Sequence, residues 1–235
     1  MSRHGANGGS LVTHATQAVR AHIRAHDLKV GDTLPGEGYF AEAVGVSRAV
    51  MREAFGALAA LRLIDVGNGR RARVSAIDGS VIAASLDHAV VTAQISVPEI
   101  WDVRRTLELR TAVLAATERT DAEADAILGI ARSLTASDGD LAAITRHDIA
   151  FHEAIARASH NALFVQIISS FAPMMQVAVP AAWRTRTAEA QRQAMLEQHE
   201  KVAQAIADRD GDAALAAMTG HFDKSIGHQL ADEAD

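Results

Sequence analysis

Asp148 and His152 stand four residues apart in a stretch that reads as helix, so both side chains leave one face and can converge on a single ion. His199 lies inside a second long helical stretch and His221 inside the next, and an antiparallel pair of helices could bring their imidazoles together. Three imidazoles and one carboxylate suit a borderline divalent ion such as Zn²⁺ or Ni²⁺, with positions left over for water or a ligand carboxylate. Spacing alone leaves the alternative open, because histidines on helices are more often surface or hydrogen-bonded core residues. His147, His160, His228 and the N-terminal histidines carry only that second reading.

Arginines supply two further candidate chemistries. Arg104, four after Ile100 and three before Leu107, points toward the buried side of its helix. A buried guanidinium is costly unless an anion meets it, and a carboxylate fits its fork best. Either an effector carboxylate or Glu108, one turn later, meets that need; Arg105 faces outward. Arg48 and Arg52 share a face at the start of another helix. There an arginine can donate two hydrogen bonds to guanine O6 and N7.

The elements that must hold these groups fall into two parts. Residues 1–76 carry ten Lys and Arg against six Asp and Glu, whereas residues 77–235 carry thirteen against twenty-three, so only the first part suits a polyanion. With no cysteine, disulfides, thiol nucleophiles and cysteine zinc clusters are excluded, which fits a reducing cytoplasm. No run of about 18 apolar residues is present, so neither a membrane span nor an export signal is expected.

In the first part, Leu11 to His26 reads as an amphipathic helix. A short helix follows from Gly36 to Val44 with Gly45 at its stop, then a third from Ser47, its cap, to Leu61. That third helix has an apolar stripe of Val50, Ala54, Leu58 and Leu61. Short strands at Leu63–Val66 and Ala72–Val74 flank a glycine-containing turn tipped by Arg70 and Arg71. This is a helix-turn-helix with a wing, which places Arg48 and Arg52 at base edges and Ser47, Arg70 and Arg71 at phosphates. The second part reads as an all-α bundle, with helices expected over 79–93, 98–119, 121–136, 141–158, 162–182, 184–209 and 212–230. Thr120 with Glu123 forms a capping box, and Pro173 should kink or shorten the fifth of these helices.

The stretch LKVGDTLPGEGYFAEAVGVSRAVMREAFGALAALRLIDVGNGRRARV resembles the winged helix of GntR-type bacterial transcriptional regulators. That resemblance implies base contacts for Arg48 and Arg52 and backbone contacts for Ser47 and Gly69. Many members carry a basic residue where this chain has Gly38, so its operator preference should differ; Phe40 replaces a usual leucine. The pieces VRRTLELRTAVLAA, DIAFHEAIARASHN, EQHEKVAQAIADRD and MTGHF are similar to the FCD ligand-binding domain of the FadR subfamily. In the metal-binding branch of that family the ligands fall on the positions of Asp148, His152, His199 and His221, and an effector carboxylate meets Arg104.

The expectation is therefore a DNA-binding regulator, a repressor, controlled by a small organic acid. The resemblance implies a sugar acid, hydroxy acid or dicarboxylate. One winged helix covers a short half-site, so a homodimer on a palindromic operator is expected. The rival is a metal-dependent enzyme acting on a small carboxylate, but no motif positions a separate general base.

Overall fold

The computed structural model describes residues 6–137 and 139–226; His4, His228 and the expected end of the last helix lie outside them. The chain divides into two compact units at Val81/Ile82. Eleven helices and one two-stranded sheet are formed among the described residues.

In the first unit, α1 (Ala6–Ala25), α2 (Glu37–Val44) and α3 (Arg48–Ala60) precede β1 (Ile64–Asp65) and β2 (Arg73–Val74). Gly45 ends α2 at φ 74°, a left-handed conformation that costs an L side chain about 1–2 kcal/mol. Ser47 then caps α3, its hydroxyl accepting from Val50 N–H at 3.2 Å. The apolar stripe of α3 departs from expectation. Met51, Ala54, Phe55 and Leu58 are buried, while Val50 is half-buried and Leu61 is 51% exposed. The helix begins at Arg48, and Leu61 is already its C-cap, so positions 51, 54, 55 and 58 form the inward row. These side chains close a core with Ala15, Val19, Leu34, Phe40 and Ile64.

The strands pair antiparallel, Ile64 with Val74 and Asp65 with Arg73. The free edge of β2 is covered by residues before α2: Leu34 N–H donates to Ala72 O at 2.8 Å, and Thr33 bridges Arg73. β2 is thus paired on both of its edges.

The second unit contains α4 (Ser80–Val91) from its third residue on, α5 (Val97–Glu118), α6 (Asp121–Ala136), α7 (Leu141–Ala158), α8 (Ala162–Ser170), α9 (Ala172–Thr185), α10 (Glu189–Ala207) and α11 (Gly211–Ile226). Capping boxes at Ser96/Glu99 and Thr120/Glu123 start α5 and α6, and Asn161 Oδ1 accepts from Leu163 and Phe164 N–H at the start of α8. The single helix expected over 162–182 is two, α8 and α9, bent by 55° at Phe171. Pro173 has no N–H to continue the ladder and its ring clashes with the carbonyl four residues back, so the break falls just before it. Likewise α10 starts at Glu189 rather than Arg184, because residues 186–188 leave helical geometry. One core joins Ala112 and Ala116 of α5, Ile127 of α6, Phe151 and Ile155 of α7, Val202 and Ile206 of α10, and Met218 of α11. Among the described residues no single helix is long and apolar enough to cross a membrane.

Candidate functional site

On the first unit, Arg48 and Arg52 are exposed on the first turns of α3. Arg52 Nε lies 3.7 Å from Glu37 Oε2, and Arg48 Nη2 lies 3.7 Å from where a Cβ on Gly38 would sit, so both guanidiniums rest along α2. In the wing, Gly69 has φ 73°, Arg70 Nη2 pairs with Asp65 Oδ2 at 2.7 Å, and Arg71 is exposed. Ser47 spends its hydroxyl oxygen on the cap of α3.

In the second unit, histidines occupy core positions of three helices. His152 follows Asp148 by one turn on the buried side of α7; His199 lies between Met195 and Val202 on α10, and His221 between Met218 and Phe222 on α11. Each imidazole is at most 5% exposed. One ring nitrogen from each lies within 4.8 Å of the others, the one such three-residue grouping among the described residues. Asp148 stands at the edge of this group: its Oδ1 is 3.2 Å from His199 Nε2 and 3.9 Å from His152 Nε2. The four expected ligands therefore share one site, with three imidazoles at its centre.

The partners behind the rings fix their orientation. His152 Nδ1 donates to Glu108 Oε2, and His199 Nδ1 donates to Met195 O at 3.0 Å, which turns both Nε2 atoms inward. Such outer contacts set the tautomer and basicity of metal-binding imidazoles. His221 Nδ1 is buried with no hydrogen-bond partner among the described residues. That orphaned nitrogen, beside two aligned imidazoles and a carboxylate, fits a bound divalent cation. Burial, with the charges of His199 and His152 adding to it, pushes His221 well below the usual imidazole range. Burial raises the Asp148 carboxyl, but the His199 hydrogen bond and the charges of His152, His199 and Arg104 together outweigh it and leave it well below normal. Both shifts favour the forms that bind a metal.

Arg104 is 3% exposed and its Nε donates to Glu108 Oε1 at 2.5 Å, so the internal ion pair does form. Among the described residues its Nη1 meets only the sulfur of Met175, a weak acceptor, and its guanidinium lies 5.1 Å from the Trp101 ring centroid. The same side chain lines a cavity of about 30 Å³ together with Asp148, His152, His199, His221 and Arg186. Glu108 thus joins the arginine to the histidine cluster. Burial alone would raise its carboxyl, yet Arg104 and His152 hold it below the usual value. Glu108→Gln keeps the shape and removes the charge. It should weaken metal binding about 10- to 100-fold and destabilise the fold by about 3–5 kcal/mol, read by competition with a chelating indicator and by thermal melting.

Residues 11–74 match the family described as "Bacterial regulatory proteins, gntR family", and residues 99–224, more than half the chain, match the "FCD domain". The chain belongs to the GntR family. It is a DNA-binding transcriptional regulator with a helical FCD effector domain. The rival reading as an enzyme falls, since the relatives of this GntR-family chain are regulators. They include HTH-type transcriptional regulator LutR of Bacillus subtilis, 29% identical over 204 residues that cover 85% of this chain and 92% of LutR. The Glc operon transcriptional activator of Escherichia coli K12 is 30% identical over 200 residues, 83% of this chain and 79% of that protein. The galactonate operon transcriptional repressor of the same strain is 29% identical over 196 residues, 80% and 84%. Streptococcus agalactiae GntR shares the fold at TM-score 0.65 and 23% identity, over 91% of this chain and 97% of that one.

Of the histidines set aside, His147 is half-buried outside the cluster, and His160 pairs with Glu123 at 3.0 Å on the surface. Arg105 faces outward, 3.0 Å from Asp223. Sequence reading missed Arg186, because it placed this residue inside a continuous helix rather than in the short connection that turns it to the cavity.

Proposed function

We propose that this regulator is a metal-dependent repressor that a small organic acid releases from its operator. The observation that carries the reading is the meeting of three buried imidazoles, Asp148 and Arg104 around one cavity. Asp148, His152, His199 and His221 hold the ion, Zn²⁺ or Ni²⁺ by the chemistry of the donors. Once bound, the ion supplies a Lewis-acidic centre for a carboxylate oxygen. Arg104 clamps the acid, its orientation set by Glu108.

Room for about 30 Å³ fits two or so water-sized groups, so an acid with several carbons is admitted only when Trp101, Met175 or Trp183 yields. The acid then binds the opened bundle better than the closed one. That difference is what a ligand needs to shift an equilibrium. Residues 1–76 bind DNA, with Arg48 and Arg52 on base edges and Ser47, Gly69, Arg70 and Arg71 along the backbone. Residues 77–235 bind metal and acid. A homodimer reads a palindrome in the cytoplasm. The galactonate relative is named a repressor and the Glc relative an activator, and the sign proposed here follows the former.

The test starts from a duplex chosen by genome-wide selection with the full-length protein. A small sugar acid, hydroxy acid or dicarboxylate should weaken binding when metal is loaded and have no effect after chelation. Equal release with and without metal sinks the metal's role, and indifference to every duplex sinks the regulator.

A further inference from the structure

Arg186 follows the last turn of α9 and lines the same cavity as Arg104, from a different helix. Its Nη1 donates to Ala182 O at 2.6 Å and its Nη2 to Ser225 O at 3.3 Å, while its guanidinium sits 5.7 Å from the Trp183 ring centroid. Those partners fix the group without neutralising it, and it has no carboxylate within ion-pair distance among the described residues. A guanidinium has five N–H donors, so three are left over. Burial lowers the Arg186 pKa from its ordinary value, and only the charge of Asp148 opposes that shift.

We propose that Arg186 is a specificity residue which, with Arg104, makes this regulator prefer a short dicarboxylate to a monocarboxylate. The inference rests on the reading of the cavity as the effector site. Charge around the cavity supports it. Arg104 and Arg186 are matched by Glu108 and Asp148, and imidazole ligands are neutral when they bind a metal. A divalent ion therefore arrives with no protein charge left to balance it. A monocarboxylate leaves one positive charge buried, whereas a dicarboxylate leaves none. The two guanidiniums come from α5 and from beyond α9, so they can hold opposite ends of one ligand. Arg104 contributes N–H groups that meet only a thioether, and Arg186 contributes its spare donors. Both forks match carboxylate geometry.

The chain's two tryptophans, Trp101 and Trp183, both line the cavity, so their fluorescence reports its contents directly. Full-length, metal-loaded protein is titrated with malonate against propionate, and with succinate against butyrate. Each dicarboxylate should bind at least about tenfold tighter than its partner of equal length, the gain expected for charged hydrogen bonds to a second carboxylate. Arg186→Gln should weaken the dicarboxylates alone and erase the preference, while Arg186→Lys, which keeps charge but loses the fork, should restore part of it. Metal content, measured by native mass spectrometry, should be equal in all three proteins.

Equal affinity for both acid classes in the wild type overturns the proposal. So does an Arg186→Gln variant that weakens both classes alike or keeps the preference. Should that variant melt early, the wild-type preference and the lysine variant decide. If neither class binds the metal-loaded wild type, the effector site itself is refuted, and this preference with it.

Discussion

Arg52→Ala should lose selective operator binding while metal content and melting temperature stay unchanged. The Arg52 side chain is 77% exposed, and its one charged neighbour among the described residues is Glu37 at 3.7 Å, so its removal costs the fold almost nothing. On DNA, a guanidinium that donates twice to guanine is worth about 1–3 kcal/mol of discrimination, or about 5- to 150-fold. Footprinting on a selected palindrome, at fixed salt, reads the loss. An Arg71→Ala protein serves as the contrast: without this cation beside a phosphate, binding should weaken on all duplexes alike and its salt dependence should flatten. An unchanged Arg52→Ala footprint would remove this side chain from base reading.

The second large effect is expected at the histidine cluster. His199 is 2% exposed, with Nδ1 donating to Met195 O and Nε2 beside Asp148. Chelation of the wild type should lower the melting temperature of the second unit. At an ion concentration of about 100 times Kd, the stabilisation removed is about 2.7 kcal/mol, or roughly 5–10 °C for a unit of this size. His199→Ala should hold no ion, melt early because Asp148 is left without its partner, and show no further response to chelator. A variant that responds to chelator as the wild type does places the ion elsewhere.

Much of this geometry is legible in the sequence because polar residues interrupt apolar rows. Asp148 and His152 fall on the same face of α7 as Ile144, Phe151 and Ile155, so helical period alone brings them inward. His199 and His221 pair only on the assumption of antiparallel neighbours, and the family resemblance supplies what spacing leaves open. In the first unit, Gly45 and Ser47 mark the turn and cap by conformation and by hydroxyl chemistry, and both stand where the pattern puts them. The inward row of α3 is shifted from the expected one, since Val50 and Leu61 are as apolar as Met51 and Phe55. Only tertiary packing separates those choices. Arg186 is hidden for a related reason. Nothing in AWRTRTAEAQ marks a helix break strongly, and the turn after α9 is held by Arg186 and Arg192 donating to main-chain oxygens rather than by glycine or proline. The covering of β2 by residues 31–34 is likewise a meeting of distant segments, which no local pattern encodes.

Glu37 puts a small cost on the proposed base contact of Arg52. Before DNA arrives, Arg52 already faces a carboxylate on α2, so in the proposed contact a base must attract the guanidinium more strongly than Glu37 does. At 3.7 Å and this exposure the ion pair is weak, and guanine, with two acceptors side by side, offers the guanidinium more than Glu37 does. The guanidinium gives up Glu37 on whichever sequence takes it, so this cost lowers affinity without adding to the preference for one base over another, and the choice rests on the base edge itself.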